Sequence, residues 1–382
     1  MNKIYLTAIF CCLIIISLSF ISLFFGNAIH EELPDVFVGV DVAYSNVKEI
    51  KQLVDEINSH TNTIVIGSTG ITYNFTKLND VCNYVYNKDM YFMVYLHPSE
   101  DQFDEQRQWV EDAQIKWKER FLGIYALDEP GGRQVDNADY TVIETNETFA
   151  NYTDVADEYV NRLNNILAYY RENPLHAKNV TLFTSDYVLY WFDYLAGYDT
   201  VFAEFGWNYS RQLNVALCRG AATVQNKDWG VMITWTYNNP PYLESGNELY
   251  TDLVYAYDAG AKYVLVFDTN ENYTRNILKD EHLDALKQFW EYIQENPRKT
   301  EIVSNRVAFV LPKGYGYGFR GPNDKIWGFW EADLFSYSIG DNLGRSLEEY
   351  GTKLDIIYDN ENGLEYNYSK YVFWNGTIVS GP

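Results

Sequence analysis

Two adjacent carboxylates, Asp128 and Glu129, follow directly on the apolar run Phe121 to Leu127, and Pro130-Gly131-Gly132 follows them. The run reads as a buried strand that the Pro-Gly-Gly turn brings to a stop. Carboxylates at the tip of a buried strand are costly to desolvate, so their presence points to binding or chemistry. Another carboxylate, Glu204, is embedded in the apolar stretch FAEFGWN. Two carboxyl groups facing each other can divide the work of cleaving an acetal. One, kept protonated by apolar surroundings and neighbouring charge, protonates the leaving oxygen; the other attacks carbon or activates water. We assign Glu129 as the acid and Glu204 as the second carboxylate, with Asp128 orienting Glu129 or hydrogen-bonding the substrate.

The tips of other apolar runs repeat the pattern: Asp41 in VFVGVDVAY, His97 in YFMVYLHP, Asp186 in VTLFTSDYV, Trp207 after Glu204, Trp235 and Tyr237 in WGVMITWTY, and Asp268 in AKYVLVFDTN. Acidic and aromatic groups on one rim suit a carbohydrate. Trp207, Trp235 and Tyr237 would stack on sugar rings, while Asp41, His97, Asp186 and Asp268 would bond hydroxyls. Each has a structural alternative. Asp186 and Asp268 fit a helix N-cap, Asp41 a structural role, and Trp235 and His97 the core. For Glu129 and Glu204 that alternative is weaker, since Glu caps helices poorly. No cofactor is needed for this chemistry. A metal site would want a pattern such as H-x-H, and His97 is the only histidine at a strand tip, so no metal is expected.

The elements that must position these residues alternate regularly. Apolar runs at 36–44, 63–71, 91–98, 121–130, 180–188, 200–208, 229–237 and 261–270 read as strands, separated by helical patterns. In the first helix, expected over 46–59, Val47, Ile50, Leu53, Val54 and Ile57 fall on one face. Gly131 to Thr153 reads as a long polar loop. Strands apolar throughout need both faces covered and so belong to a parallel sheet. Eight such units predict an α/β fold with a (β/α)8 (TIM) barrel over residues 34–296. A doubly wound sheet would place a glycine-rich phosphate turn after the first strand, and none is there. Residues 301–382 read as a small three-layer α/β domain, with strands at 306–312, 354–359 and 371–376 and a helix at 333–350.

The formal net charge of −24 argues against nucleic acid as a partner. Residues 4–25 form an uncharged apolar run after a short basic start, and 1–28 reads as a signal peptide cleaved after Ala28 or as a transmembrane signal anchor. Asn74, Asn146, Asn151, Asn179, Asn208, Asn272, Asn367 and Asn375 each begin an N-x-S/T sequon. Together these predict a glycosylated protein, secreted or anchored at the cell surface. Cys82 and Cys218 are expected to be buried free thiols.

On these residues the barrel resembles the superfamily of (β/α)8 glycoside hydrolases, and ALDEP resembles their fourth-strand acid motif. Many of those families carry N-E-P there; here Asp128 stands in the Asn place and Glu129 in the acid place. In the Asn-Glu families the nucleophile is a Glu ending strand seven, whereas this strand ends in Trp235-Thr236-Tyr237. The Glu204 assignment therefore rests on position. The Asp-Glu pair is also similar to that of hexosaminidases, in which the Asp holds the substrate's acetamido nucleophile, although their H-G-G-D-E context is absent. The carboxy-terminal unit resembles the flavodoxin-like domain of some β-galactosidases, and it offers an interface for a homo-oligomer. The alternative to an enzyme is a non-catalytic carbohydrate-binding protein on a degenerate barrel, which the missing strand-seven acid favours.

Overall fold

The computed structural model describes residues 33–97, 102–144, 146–171, 180–236, 243–269, 276–298, 303–321, 323–359 and 367–381. The run at 4–25, Tyr237, Asn179 and Asn272 lie outside them. Among the described residues, no helix is long and apolar enough to cross a membrane.

Strands β1 (Phe37–Val42), β2 (Thr63–Ile66), β3 (Tyr91–Tyr95), β4 (Phe121–Tyr125), β5 (Leu182–Asp186), β6 (Thr200–Phe205), β7 (Asp228–Ile233) and β8 (Tyr263–Phe267) form a closed parallel barrel in sequence order. Closure is made by β8 on β1, with Phe37 opposite Tyr263 and Asp41 opposite Phe267. The strands are shorter than the apolar runs because the C-terminal part of each run leaves the ladder to build a loop. The run from Thr63 to Ile71, for example, yields β2 and then the short helix Thr69–Thr72.

Local chemistry explains the helices. Val47–Ile57 begins at a capping box, in which the Asn46 side chain accepts from the Glu49 amide and Glu49 accepts from the Asn46 amide. It buries Ile50, Leu53, Val54 and Ile57, the face that the spacing predicts. The polar stretch after Glu129 departs from expectation, because it opens with a helix, Pro130–Asp136. Pro at the first helical position loses no hydrogen bond and presets φ. Cys82 and Cys218 are buried and unpaired.

The carboxy-terminal sheet has the order β10-β9-β11-β12, with β9 (Val307–Leu311), β10 (Leu354–Tyr358), β11 (Lys370–Phe373) and β12 (Ile378–Ser380). Here β12 is antiparallel and is an addition to the three expected strands. Among the described residues this sheet has one long helix of its own, Leu334–Tyr350. In place of a self-contained three-layer unit, its edge strand β10 lies against the barrel helix Arg211–Val224. There a Cβ on Gly220 would stand 2.2 Å from the Ile356 carbonyl oxygen, so only glycine permits the approach.

Candidate active site

Side chains alternate along a strand, so every second residue faces the barrel axis. Phe37, Val65, Met93, Tyr125, Phe183, Phe202, Met232 and Leu265 fill the interior. The same parity, followed to the strand ends, brings Asp41, Tyr95, Ser185, Glu204 and Phe267 onto a cavity of about 490 Å³. Asp128, Glu129, Arg133, Trp207 and Trp235 also line it. Asp186 and Asp268 are one residue out of phase with Phe183 and Leu265 and lie outside the lining. His97 is exposed and also absent from the lining; its carbonyl accepts from Gln106. These three positions therefore offer no direct contact with a ligand in the cavity.

Asp186 has a different task. Its carboxylate accepts from the amides of Gly131 (2.6 Å), Gly132 (2.9 Å), Tyr187 (2.8 Å) and Val188 (3.2 Å). It thus caps the helix that begins just after Glu129, from another strand. The chain reaches that helix through a strained turn, with Leu127 at φ +61° and Glu129 at φ +50°. Non-glycine residues in the left-handed region cost about 1–3 kcal/mol each and persist where the surroundings over-determine them. The bonds to Asp186 and the Glu129 amide to the Ser185 carbonyl (3.1 Å) supply that constraint. Asp268 is similar: it accepts from the amides of Ile277 (2.7 Å) and Leu278 (3.0 Å), ahead of the helix Asp280–Glu295.

Glu129 and Glu204 both line the cavity, and their carboxyl groups lie within hydrogen-bonding reach of each other. Burial, then the charge of Asp128, raises Glu129 to about 8, against the opposing pull of the Glu204 bond and Arg133. Glu204 is raised well above the carboxylate range by burial, then by Glu129 and Asp128.

Ser185 and Tyr125 connect this pair to Asp128. The Ser185 hydroxyl donates to Glu204 Oε1 (2.6 Å), and the Tyr125 hydroxyl donates to Asp128 Oδ1 (2.6 Å). Tyr125 in turn accepts from the Ser185 amide (3.2 Å). Neither residue stands out in the sequence, since both look like ordinary strand residues. The signal that finds them is parity: Ser185 is two residues beyond the inward Phe183.

Asp41 is 5% exposed, and its buried Oδ1 atom has no hydrogen-bond partner among the described residues. Burial and the charges of Asp128 and Asp268 raise its pKa well above the usual value. Arg133, on the same lining, donates to the carbonyls of Asp128 (3.0 Å) and Asp139 (3.3 Å) and not to a carboxylate. Trp207 is 38% exposed and its amide donates to the Trp235 carbonyl (2.6 Å), while the Trp235 indole donates to the Thr269 carbonyl (2.6 Å). The carboxy-terminal unit touches the lining residues Asp136 and Tyr187 from outside the cavity. Arg320 pairs with Asp136 and Asp324 and lies over the Tyr187 ring. Among the described residues, no group of His, Cys, Asp and Glu is arranged to hold a metal ion.

No family model matches the sequence, and no curated protein matches it. Solved structures do. A GH5_18 protein from Bifidobacterium longum subsp. longum, in complex with Manb1-4GlcNAc, is 11% identical, with a TM-score of 0.50 over 91% of this chain and 97% of that one. A GH99 endo-alpha-mannosidase from Bacteroides thetaiotaomicron is 11% identical, with a TM-score of 0.43 over 69% and 98%. A psychrophilic glycoside hydrolase family 10 endo-beta-1,4-xylanase is 10% identical, with a TM-score of 0.42 over 66% and 96%. At such identities the likeness is one of fold: this chain has a glycoside hydrolase-like (β/α)8 barrel with an added carboxy-terminal sheet.

Proposed function

We propose that this protein is a glycoside hydrolase that works by carboxylate acid/base catalysis on a glycan or oligosaccharide. The observation that carries the reading is the juxtaposition of Glu129 and Glu204, two buried carboxyls within hydrogen-bonding reach of each other on an open, aromatic-lined cavity. A sugar entering the cavity parts the two groups. Glu129, with its raised affinity for a proton, protonates the leaving oxygen. Glu204, whose anion Ser185 stabilises by donating to it, attacks the anomeric carbon. Carboxyls in contact lie closer than the roughly 5–5.5 Å of retaining enzymes, and much closer than the roughly 6.5–9.5 Å of inverting ones. The smaller opening favours retention through a glycosyl-enzyme ester on Glu204. Asp128, held by Tyr125, lies beside Glu129, and its charge raises the affinity of Glu129 for a proton.

Export belongs to the same reading. The apolar run at 4–25 would serve as signal or anchor, and all six sequon asparagines within the described residues (Asn74, Asn146, Asn151, Asn208, Asn367 and Asn375) are exposed.

The test uses a panel of aryl glycosides. Glu129→Gln should lose about 10²–10⁴-fold on substrates with poor leaving groups and far less on dinitrophenyl glycosides, which leave without a proton. Glu204→Ala should be inactive on both. Hydrolysis unchanged in both variants would sink the assignment. The second reading, a carbohydrate-binding protein without catalysis, draws on the absence of any gap between the carboxyls. It predicts sugar binding in the wild type with no turnover of any glycoside in the panel.

A further inference from the structure

We propose that the Asp41 side of the cavity recognises a free, protonated amino group, so that the substrate class is a glycan containing unacetylated amino sugars. This rests on the hydrolase reading for the identity of the ligand as a sugar, and it concerns a group that the proposed catalysis does not use.

Apart from Glu129, which meets Glu204, Asp41 differs from the other acids around the site. Asp128 accepts from Tyr125, Glu204 from Ser185, Asp136 from Tyr187 and Arg320, and Asp186 and Asp268 from backbone amides. Asp41 lines the same cavity, is 95% buried by its 5% exposure, and its Oδ1 receives no hydrogen bond from the described residues. Gly67 leaves the room it occupies, for a Cβ there would stand 2.8 Å from Asp41 Oδ1. A buried carboxylate without a donor is costly, and a ligand is what can satisfy it.

The nature of that ligand follows from the charges and faces nearby. Arg133, the cation on the lining, bonds two backbone carbonyls and bears on Glu129, and the charges that bear on Asp41 are those of Asp128 and Asp268. Phe267, opposite Asp41 in the β1–β8 ladder, and Tyr44, Tyr95 and Trp235 belong to the same lining. A carboxylate among aromatic faces is the arrangement that an ammonium group fits: it offers three donors and a charge that both the carboxylate and the rings attract. A hydroxyl supplies one donor and no charge, and an acetamide is bulkier and neutral.

Calorimetric titration of the full chain with three sets of oligosaccharides of equal length tests this: glucosamine oligomers, their N-acetylated forms, and glucose oligomers. Glucosamine oligomers should bind about tenfold tighter or more than either counterpart, a difference near 1.4 kcal/mol. Asp41→Asn and Asp41→Ser, checked for folding by thermal melts, should abolish the preference while retaining residual binding to all three. Equal or weaker binding of the amine in the wild type overturns the proposal without any variant, as does a preference that survives in a folded Asp41 variant. Because binding is read here and hydrolysis in the aryl glycoside panel, an active enzyme indifferent to the amine refutes this inference alone. Absence of binding in all three sets refutes it together with the hydrolase reading if the panel is also inert.

Discussion

Among the described residues neither Glu129 nor Glu204 has a salt-bridge partner, and this governs how the site titrates. Arg133 lowers Glu129 only partly, since burial and Asp128 outweigh it. The folded pKa of Glu129, about 8, therefore lies above the unfolded value of about 4.3. The folded state binds more protons than the unfolded one between these limits. The stabilising contribution is then complete below the unfolded pKa and lost as pH rises through the folded one. Glu129→Gln, which cannot ionise, should match the wild type in melting temperature near pH 4 and exceed it at pH 8. Melting curves collected across that range decide the matter, and parallel pH profiles would show that the site holds no such proton. Activity should fall above about pH 8 for the same reason, as the acid loses its proton.

The elements tell which parts of the site sequence reasoning can reach. Eight apolar runs with polar tips suffice to predict the barrel, because burial on both faces leaves a continuous apolar signal. They also place Glu129 and Glu204 in one mouth. They do not give phase. Counting in twos from a known inward residue separates Asp41 and Glu204, which face the cavity, from Asp186 and Asp268, which face away, but the inward residue is known only once the strands are paired. The helix Pro130–Asp136 was hidden for a related reason: the carboxylate that caps it comes from Asp186, 55 residues away from Gly131. That cap leads to a test. A Cβ on Gly131 would stand 2.7 Å from Leu189 Cβ and 2.9 Å from Asp186 Oδ2, so Gly131→Ala must push the helix off its cap. Overpacking of this kind costs about 1–3 kcal/mol in stability. Displacing a catalytic group by about 1 Å can cost on the order of 10²-fold in rate. The variant should therefore lose far more in kcat than its small drop in melting temperature suggests; a lost melting transition with unchanged specific activity of the folded fraction would refute the positioning role.

At the scale of the whole molecule, the carboxy-terminal sheet and the barrel share one set of buried charges. Asp355, fully buried on β10, binds the barrel's Arg219 (2.7 Å), Arg306 (2.7 Å) and the Tyr368 hydroxyl (2.8 Å). Arg219 also donates to the carbonyls of Ala259, Thr352 and Leu354. Pro297 and the change in pattern suggest a boundary near 296–300 in the sequence, but this cluster joining helix and sheet was not legible, because a lone Arg in a helix and a lone Asp in a strand carry no mark of pairing. The same unit sends the segment carrying Arg320 and Trp327 onto the site. Asn137 donates to the Gly328 carbonyl (2.7 Å), Gln134 to that of Trp327 (3.4 Å), and Arg320 pairs with Asp136, all on or beside the helix that starts after Glu129. Asp355→Ala leaves two arginines buried without their carboxylate, which costs about 3–5 kcal/mol. Denaturant titration should show the midpoint falling accordingly in a single transition followed by both barrel and sheet probes. Two separated transitions, with the barrel's midpoint unmoved, would mean that the sheet is an independent appendage and that its reach to the helix after Glu129 contributes nothing to holding the site.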